Sequence, residues 1–190
     1  GTGVDNIDLE AATRKGIVVV NAPTSNTVAV AEHTIALMLC LARHIVRAND
    51  SMHAGRWQKR HLVGTELRDK VLGLVGLGHV GSAVASRAGG LEMKVIAHDP
   101  FECSDWEATM AMEMVGLDEL FSRADYVSLH TPSTGRTRGI VGARELALMK
   151  PSARLINCAR GDLVLVEDLV EAISEGRIAG AALDVFVGEP

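Results

Sequence analysis

"VLGLVGLGHVGSAVASRAG", residues 71–89, joins a short apolar run to a helix-like segment through three glycines. Gly76, Gly78 and Gly81 form G-x-G-x-x-G at that strand-to-helix junction, the context that gives an otherwise weak pattern its meaning. Each glycine has a separate task. Gly76 allows the tight turn, Gly78 lets backbone approach a pyrophosphate, and Gly81 lets helix and strand pack closely, with the helix N-terminus facing the anion. Eighteen residues after Gly81 stands Asp99, at the end of the next apolar run "KVIAHD". A carboxylate there accepts hydrogen bonds from the adenosine ribose hydroxyls and repels a 2′-phosphate. The next residues, Pro100, Phe101 and Glu102, supply no arginine to receive one, so the pattern points to NAD rather than NADP.

Working outward, short apolar or β-branched runs recur at 16–21, 70–76, 93–99, 126–130, 153–158 and 178–186, each ending in turn or polar residues. Helix-like segments near 79–90, 117–123, 143–149 and 165–175 lie between them. Alternating strand and helix predicts an α/β fold, a doubly wound parallel sheet of the Rossmann kind in a single domain. One stretch breaks the rhythm: residues 27–55 read as a single long helix whose apolar positions, Ile35, Leu37, Met38, Leu41 and Ile45 among them, spread around much of its surface. That predicts an interdomain or dimer contact.

Composition excludes several classes. The 190 residues are 47% hydrophobic and 23% charged, an ordinary globular balance. With 3% aromatic residues and a net charge of −5, neither a basic footprint nor stacking platforms recommend nucleic acid. Cys40, Cys103 and Cys158 are odd in number and widely spaced, which predicts reduced cytosolic thiols, no disulfide framework and no metal. The most apolar stretch, 34–42, is shorter than the roughly 20 residues of a membrane span, and no signal-like leader opens the sequence.

"LHTP" (129–132) and "NCARGD" (157–162) close two predicted strands at the edge where open α/β sheets bind ligands. There the guanidinium of Arg160 can grip a carboxylate through paired hydrogen bonds, or pair with Asp162 on the surface. Asp184 and Glu189 follow the last strand.

Taken with "GTGVDNIDLEAATRKGIVVVN", "GRWQKRHLVGTEL", "HDP" and "AALDVFVGEP", these motifs make the sequence resemble, from end to end, the cofactor domain of the D-2-hydroxyacid dehydrogenases. The closest likeness is to the branch that oxidises 3-phosphoglycerate to 3-phosphohydroxypyruvate in serine biosynthesis. The resemblance implies an NAD-binding domain over 1–190, with 1–22 on the hinge side and a flanking substrate domain elsewhere in the family's chain. It assigns catalytic roles to Arg160, which holds substrate, and Glu189, which raises the basicity of a histidine. Cofactor contacts carry over to Thr2, His79, Val80, Asp99, Pro100, His130, Thr131, Pro132, Cys158, Ala159, Arg160 and Asp184, the last at the nicotinamide amide. Substrate contacts carry over to Asn26, Lys59 and Arg60, the two cations reaching across a dimer.

The family's histidine motif lies downstream of Glu189, and none of the seven histidines here has its context, so this chain alone is expected to be inactive. Two positions depart from the pattern. His79 stands where relatives often carry Arg. Asp162 replaces a Gly, and would strain the loop aiming Arg160 if that loop needs positive φ. The same cofactor motifs also serve non-catalytic NAD(H)-sensing corepressor-type modules and dehydrogenases of other 2-hydroxy acids such as glycerate or hydroxypyruvate.

Overall fold

The computed structural model describes residues 3–4, 7–101 and 112–189. In chain order its elements are α1 (Leu9–Arg14), α2 (Thr27–Arg43), α3 (Ile45–His53), β1 (Val71–Val75), α4 (His79–Gly90), β2 (Lys94–His98), β3 (Glu113–Met114), α5 (Leu117–Arg123), β4 (Tyr126–Leu129), α6 (Ala143–Leu148), β5 (Arg154–Asn157), α7 (Val166–Ser174) and β6 (Gly180–Leu183). Single 3-10 turns occur at Lys59–His61 and Gly161–Leu163.

The described strands form one six-stranded parallel sheet in the order β3-β2-β1-β4-β5-β6. Leu72 of β1 lies between Val95 of β2 and Tyr126 of β4, so β1 is the strand from which the order runs outward in both directions. A crevice therefore opens beyond the C-terminal ends of β1 and β4.

Alternate strand residues feed two cores because successive side chains point to opposite faces. Leu72, Leu74, Ala97, Tyr126 and Ile156 pack with Ala31, Met38 and Ala42 of α2 and Val84, Ala85 and Ala88 of α4. Val75, Ile96, Val127, Leu129 and Leu155 pack with Leu120, Phe121, Leu146 and Leu169 on the other face. Burial on both sides is why the strands read as near-continuous apolar runs. Truncating Leu74 or Leu155, both fully buried, to alanine is expected to cost about 2–5 kcal/mol.

The helix expected over 27–55 is two helices. His44 takes a left-handed conformation (φ 53°) and the axes bend by 63°. The cause is tertiary: the Thr65 N–H donates to the Ala42 carbonyl at 2.9 Å, while a Cβ on Gly64 would lie 2.5 Å from that oxygen. A neighbouring segment thus takes the carbonyl that the helical ladder would have used. The α2 helix packs on α4 and against β5 and β6, and Ala31, Thr34, Met38 and Ala42 are buried.

The strand expected at 16–21 does not form. Gly16 (φ +66°) closes the turn after α1, and Ile17, Val18 and Val20 are exposed, with no ladder partner among the described residues. Propensity without a partner strand is not enough. Conversely, α1, capped by Asp8 accepting from Ala11 N–H at 2.8 Å, and the two-residue edge strand β3 are additions to the sequence reading. No single helix among the described residues is long and apolar enough to cross a membrane.

Candidate functional site

The glycine turn is built by exclusion. Gly76 sits at φ +98°, where a side chain is strained, and a Cβ there would meet the His130 carbonyl at 2.7 Å. A Cβ on Gly81 would lie 2.3 Å from the Gly76 carbonyl oxygen. At Gly78 the situation reverses: a Cβ would meet nothing within 4 Å, so the protein itself does not need a glycine here. That open space lies at the start of α4, where unbonded N–H groups favour an anion. His79, the first residue of α4, is exposed.

Asp99 is fastened to the same turn. One carboxylate oxygen accepts from Leu77 N–H at 2.7 Å and the other from Phe101 N–H at 2.9 Å. Its side chain is therefore held in place, with lone pairs remaining for a further donor. Pro100 lies exposed beside it.

On the other side of β1, Asn26, Val80, His130, Thr131, Pro132, Cys158, Ala159 and Arg160 line one cleft of about 340 Å³ with Gly3, Val4 and Val30. Eight positions assigned through separate motifs thus meet in one place. Asn26 Oδ1 is buried with no hydrogen-bond partner among the described residues, an acceptor that a ligand can satisfy. His130 Nε2 lies 2.9 Å from Ser128 Oγ, and burial pushes its pKa down to about 4, so the ring is neutral at pH 7. Burial raises the Cys158 thiol, outweighing a hydrogen bond with Thr34.

The Arg160 loop is shaped by Gly161, whose Cβ would lie 2.2 Å from the Phe186 carbonyl carbon. That approach brings the segment bearing Glu189 alongside the segment bearing Arg160. Asn157 Nδ2 donates to the Arg160 carbonyl at 2.8 Å, and Arg160 donates to the Ala159 carbonyl at 2.7 Å. Glu189 accepts from the Phe186 N–H. The condition for strain at Asp162 is not met: its φ is not positive and it sits in the 3-10 turn. Ser133 Oγ donates to its carboxylate at 2.6 Å and Arg138 Nε at 3.1 Å, which hold it below the usual carboxylate range. Asp162 therefore staples the loop from outside.

Lys59 and Arg60 occupy an exposed 3-10 turn and do not line the cleft. Asp184, after β6, meets His33 at 3.2 Å. Thr2 lies outside the described residues, as does Cys103. The sequence reading missed Gly3, Val4, Val30 and His33. For the last two a signal existed: Val30 and His33 stand four and seven residues after Asn26, the residue that precedes α2, and are three apart on one face of that helix.

With this geometry in place, comparison with known proteins identifies the class. The family model "D-isomer specific 2-hydroxyacid dehydrogenase, NAD binding domain" matches residues 35–190, and the chain belongs to that family. It is 51% identical over 190 residues to D-3-phosphoglycerate dehydrogenase of Synechocystis sp., covering all of this chain and 34% of that protein. The chain thus spans about a third of that relative's length. The crystal structure of a Thermus thermophilus protein matches with a TM-score of 0.92 at 41% identity, covering 100% of this chain and 60% of that one. The D-lactate dehydrogenase of Lactobacillus jensenii, solved with NAD+, matches with a TM-score of 0.86 at 34% identity, over 98% of this chain and 56% of that one.

Proposed function

We propose that the chain is the cofactor-binding part of an NAD-dependent dehydrogenase that oxidises a D-2-hydroxy acid, with 3-phosphoglycerate, the substrate in the names of relatives 48–51% identical to it, as the substrate. The observation that carries the reading is the open space at Gly78, flanked by the fixed carboxylate of Asp99 on one side and the cleft ending at Arg160 on the other. When bound, the cofactor supplies the hydride acceptor. The protein's own groups position and hold. The α4 N-terminus takes the pyrophosphate, Asp99 the adenosine ribose, and Thr131, Cys158 and Ala159 the nicotinamide half, while Arg160 grips the substrate carboxylate through paired hydrogen bonds. Asn26 offers its unpartnered oxygen to the same ligand set.

Glu189 orients and charge-stabilises a histidine in this reading. Among the described residues its carboxylate accepts from Phe186 N–H, and no histidine hydrogen-bonds to it. The chain by itself is therefore expected to bind cofactor without turnover. The deciding experiment is NAD reduction with 3-phosphoglycerate by the longer protein carrying this domain. Activity lost in Arg160→Ala is the expected result; preference for glycerate or lactate would move the substrate assignment.

Homodimerisation belongs to the same proposal. Val28 of α2 and Ile45, Val46 and Met52 of α3 are exposed, and apolar side chains left at the surface in this way favour a second copy. Light scattering at high micromolar concentration tests it; a monomer there would contradict it.

A further inference from the structure

We propose that His33, Cys158 and Asp184 form a binding site for a divalent cation of the zinc class, and that metal held there excludes the nicotinamide end of the dinucleotide. The second half of this proposal rests on the NAD-binding reading; the first does not.

The three side chains come from α2, from the end of β5 and from the segment after β6, with no motif spacing to join them. That is why an expectation of no metal, reasoned from cysteine spacing, could not register them. Their ligand atoms all lie within 4.8 Å of one another, and His33 Nε2 is 3.2 Å from Asp184 Oδ1. Zinc bonds of about 2.0–2.3 Å place tetrahedral donors about 3.3–3.8 Å apart, so the cluster is near closure. The remaining adjustment falls on the two exposed partners: the His33 and Asp184 side chains are 48% and 50% exposed, whereas Cys158 is buried at 8% and fixed at a strand end.

Donor chemistry selects the ion. One sulfur, one imidazole nitrogen and one carboxylate oxygen suit zinc, while calcium and magnesium prefer all-oxygen sets. As the Zn–S bond forms, the thiol proton leaves to solvent; imidazole binds through neutral Nε2. Thiolate and carboxylate then cancel the ion's charge, so no net charge is added to the wall of the cleft. The exposed His33–Asp184 pair that the metal would displace is of a kind worth little on its own. Because Cys158 also lines the cleft, an ion bound to its sulfur would sit beside the space assigned to the nicotinamide.

The test is a titration of the cofactor-free chain with Co²⁺, followed by absorption. One equivalent should produce thiolate-to-cobalt charge transfer and the intense visible bands of a tetrahedral site. Cys158→Ser should abolish the charge transfer. His33→Gln, a surface change whose fold is checked by circular dichroism, should weaken binding about tenfold or more, as loss of even an outer-shell partner commonly does. Absence of the charge-transfer band, or its survival in Cys158→Ser, overturns the site. Zn²⁺ should then weaken apparent NADH affinity by the factor 1 + [Zn²⁺]/Kd, and not in His33→Gln. Cobalt bands that persist at saturating NADH overturn the exclusion. Failure of NADH to bind at all would strike the functional reading while leaving the cobalt result standing.

Discussion

The two ends of the same sheet spend their polar residues differently. At the N-terminal ends of the strands, partners are internal. Asp125 accepts from Val71 N–H at 2.8 Å and from Lys150 at 2.9 Å, and the Arg154 guanidinium lies 5.5 Å from the Tyr126 ring centre. At the C-terminal ends capacity is left over: space at Gly78, a buried unpartnered oxygen on Asn26, and a neutral His130. One end stabilises the fold and the other is arranged for something outside it. Substitutions at the first should therefore change stability alone, and substitutions at the second should separate stability from binding.

The largest effects are expected within the glycine turn. Gly81→Ala drives a Cβ against backbone and should cost about 1–3 kcal/mol or more, with NADH binding lost as well. Gly78→Ala, whose Cβ meets nothing in the fold, should leave Tm unchanged and still weaken NADH at least about tenfold, or 1.4 kcal/mol. Thermal melts and NADH fluorescence on the same samples separate the two. If Gly78→Ala bound NADH normally, the space beside it would not be a ligand site.

Next in size is Asp125→Ala, expected to cost about 1–3 kcal/mol through the lost charged hydrogen bonds while NADH affinity stays constant. Burial opposes ionisation of Asp125, but Val71 N–H and Lys150 overcome it and hold the carboxyl below its ordinary 3.8. The stabilisation is thus present above pH 3.8 and disappears as pH falls through the lower folded value. Acid melts of the two proteins should converge there.

His130 should act at higher pH. Its folded pKa of about 4 lies below the ordinary 6.5, so the unfolded chain takes up the proton first. Stability is complete above pH 6.5 and declines as pH drops toward 4. His130→Gln should flatten that part of the stability–pH curve. An unchanged slope would place the cause in another group.

The smallest change is expected from Lys59→Ala and Arg60→Ala, within about 0.5 kcal/mol and with NADH affinity unaltered, because both are exposed and outside the cleft. A rise in KM for a phosphorylated acid in the longer protein would still be compatible with a role across subunits.

What the sequence made legible follows the range of the forces involved. The central strands and the glycine turn were readable because each is imposed locally, by burial on two faces or by a Cβ that cannot fit at Gly76 and Gly81. The break at His44 was not, since it depends on Thr65 reaching the Ala42 carbonyl from 23 residues away. The β-branched run at 17–20 misled for the converse reason: local preference was present, but no partner strand meets it among the described residues. Arg160, His130 and Asn26 were legible as candidates, yet their convergence on one cleft is a product of strand order. His33 gave no sign of its neighbours because Cys158 and Asp184 are brought to it only by β5 and β6.

The most direct test of cofactor binding at the C-terminal edge is calorimetry of the 190-residue chain with NADH and with NADPH. Binding of NADH in the micromolar to millimolar range is predicted, with NADPH weaker by about tenfold or more, a gap of about 1.4 kcal/mol that Asp99→Ala narrows. Equal affinity for the two dinucleotides, or a preference untouched by Asp99→Ala, would contradict the assignment of the ribose to Asp99 and with it the placement of the cofactor along this edge.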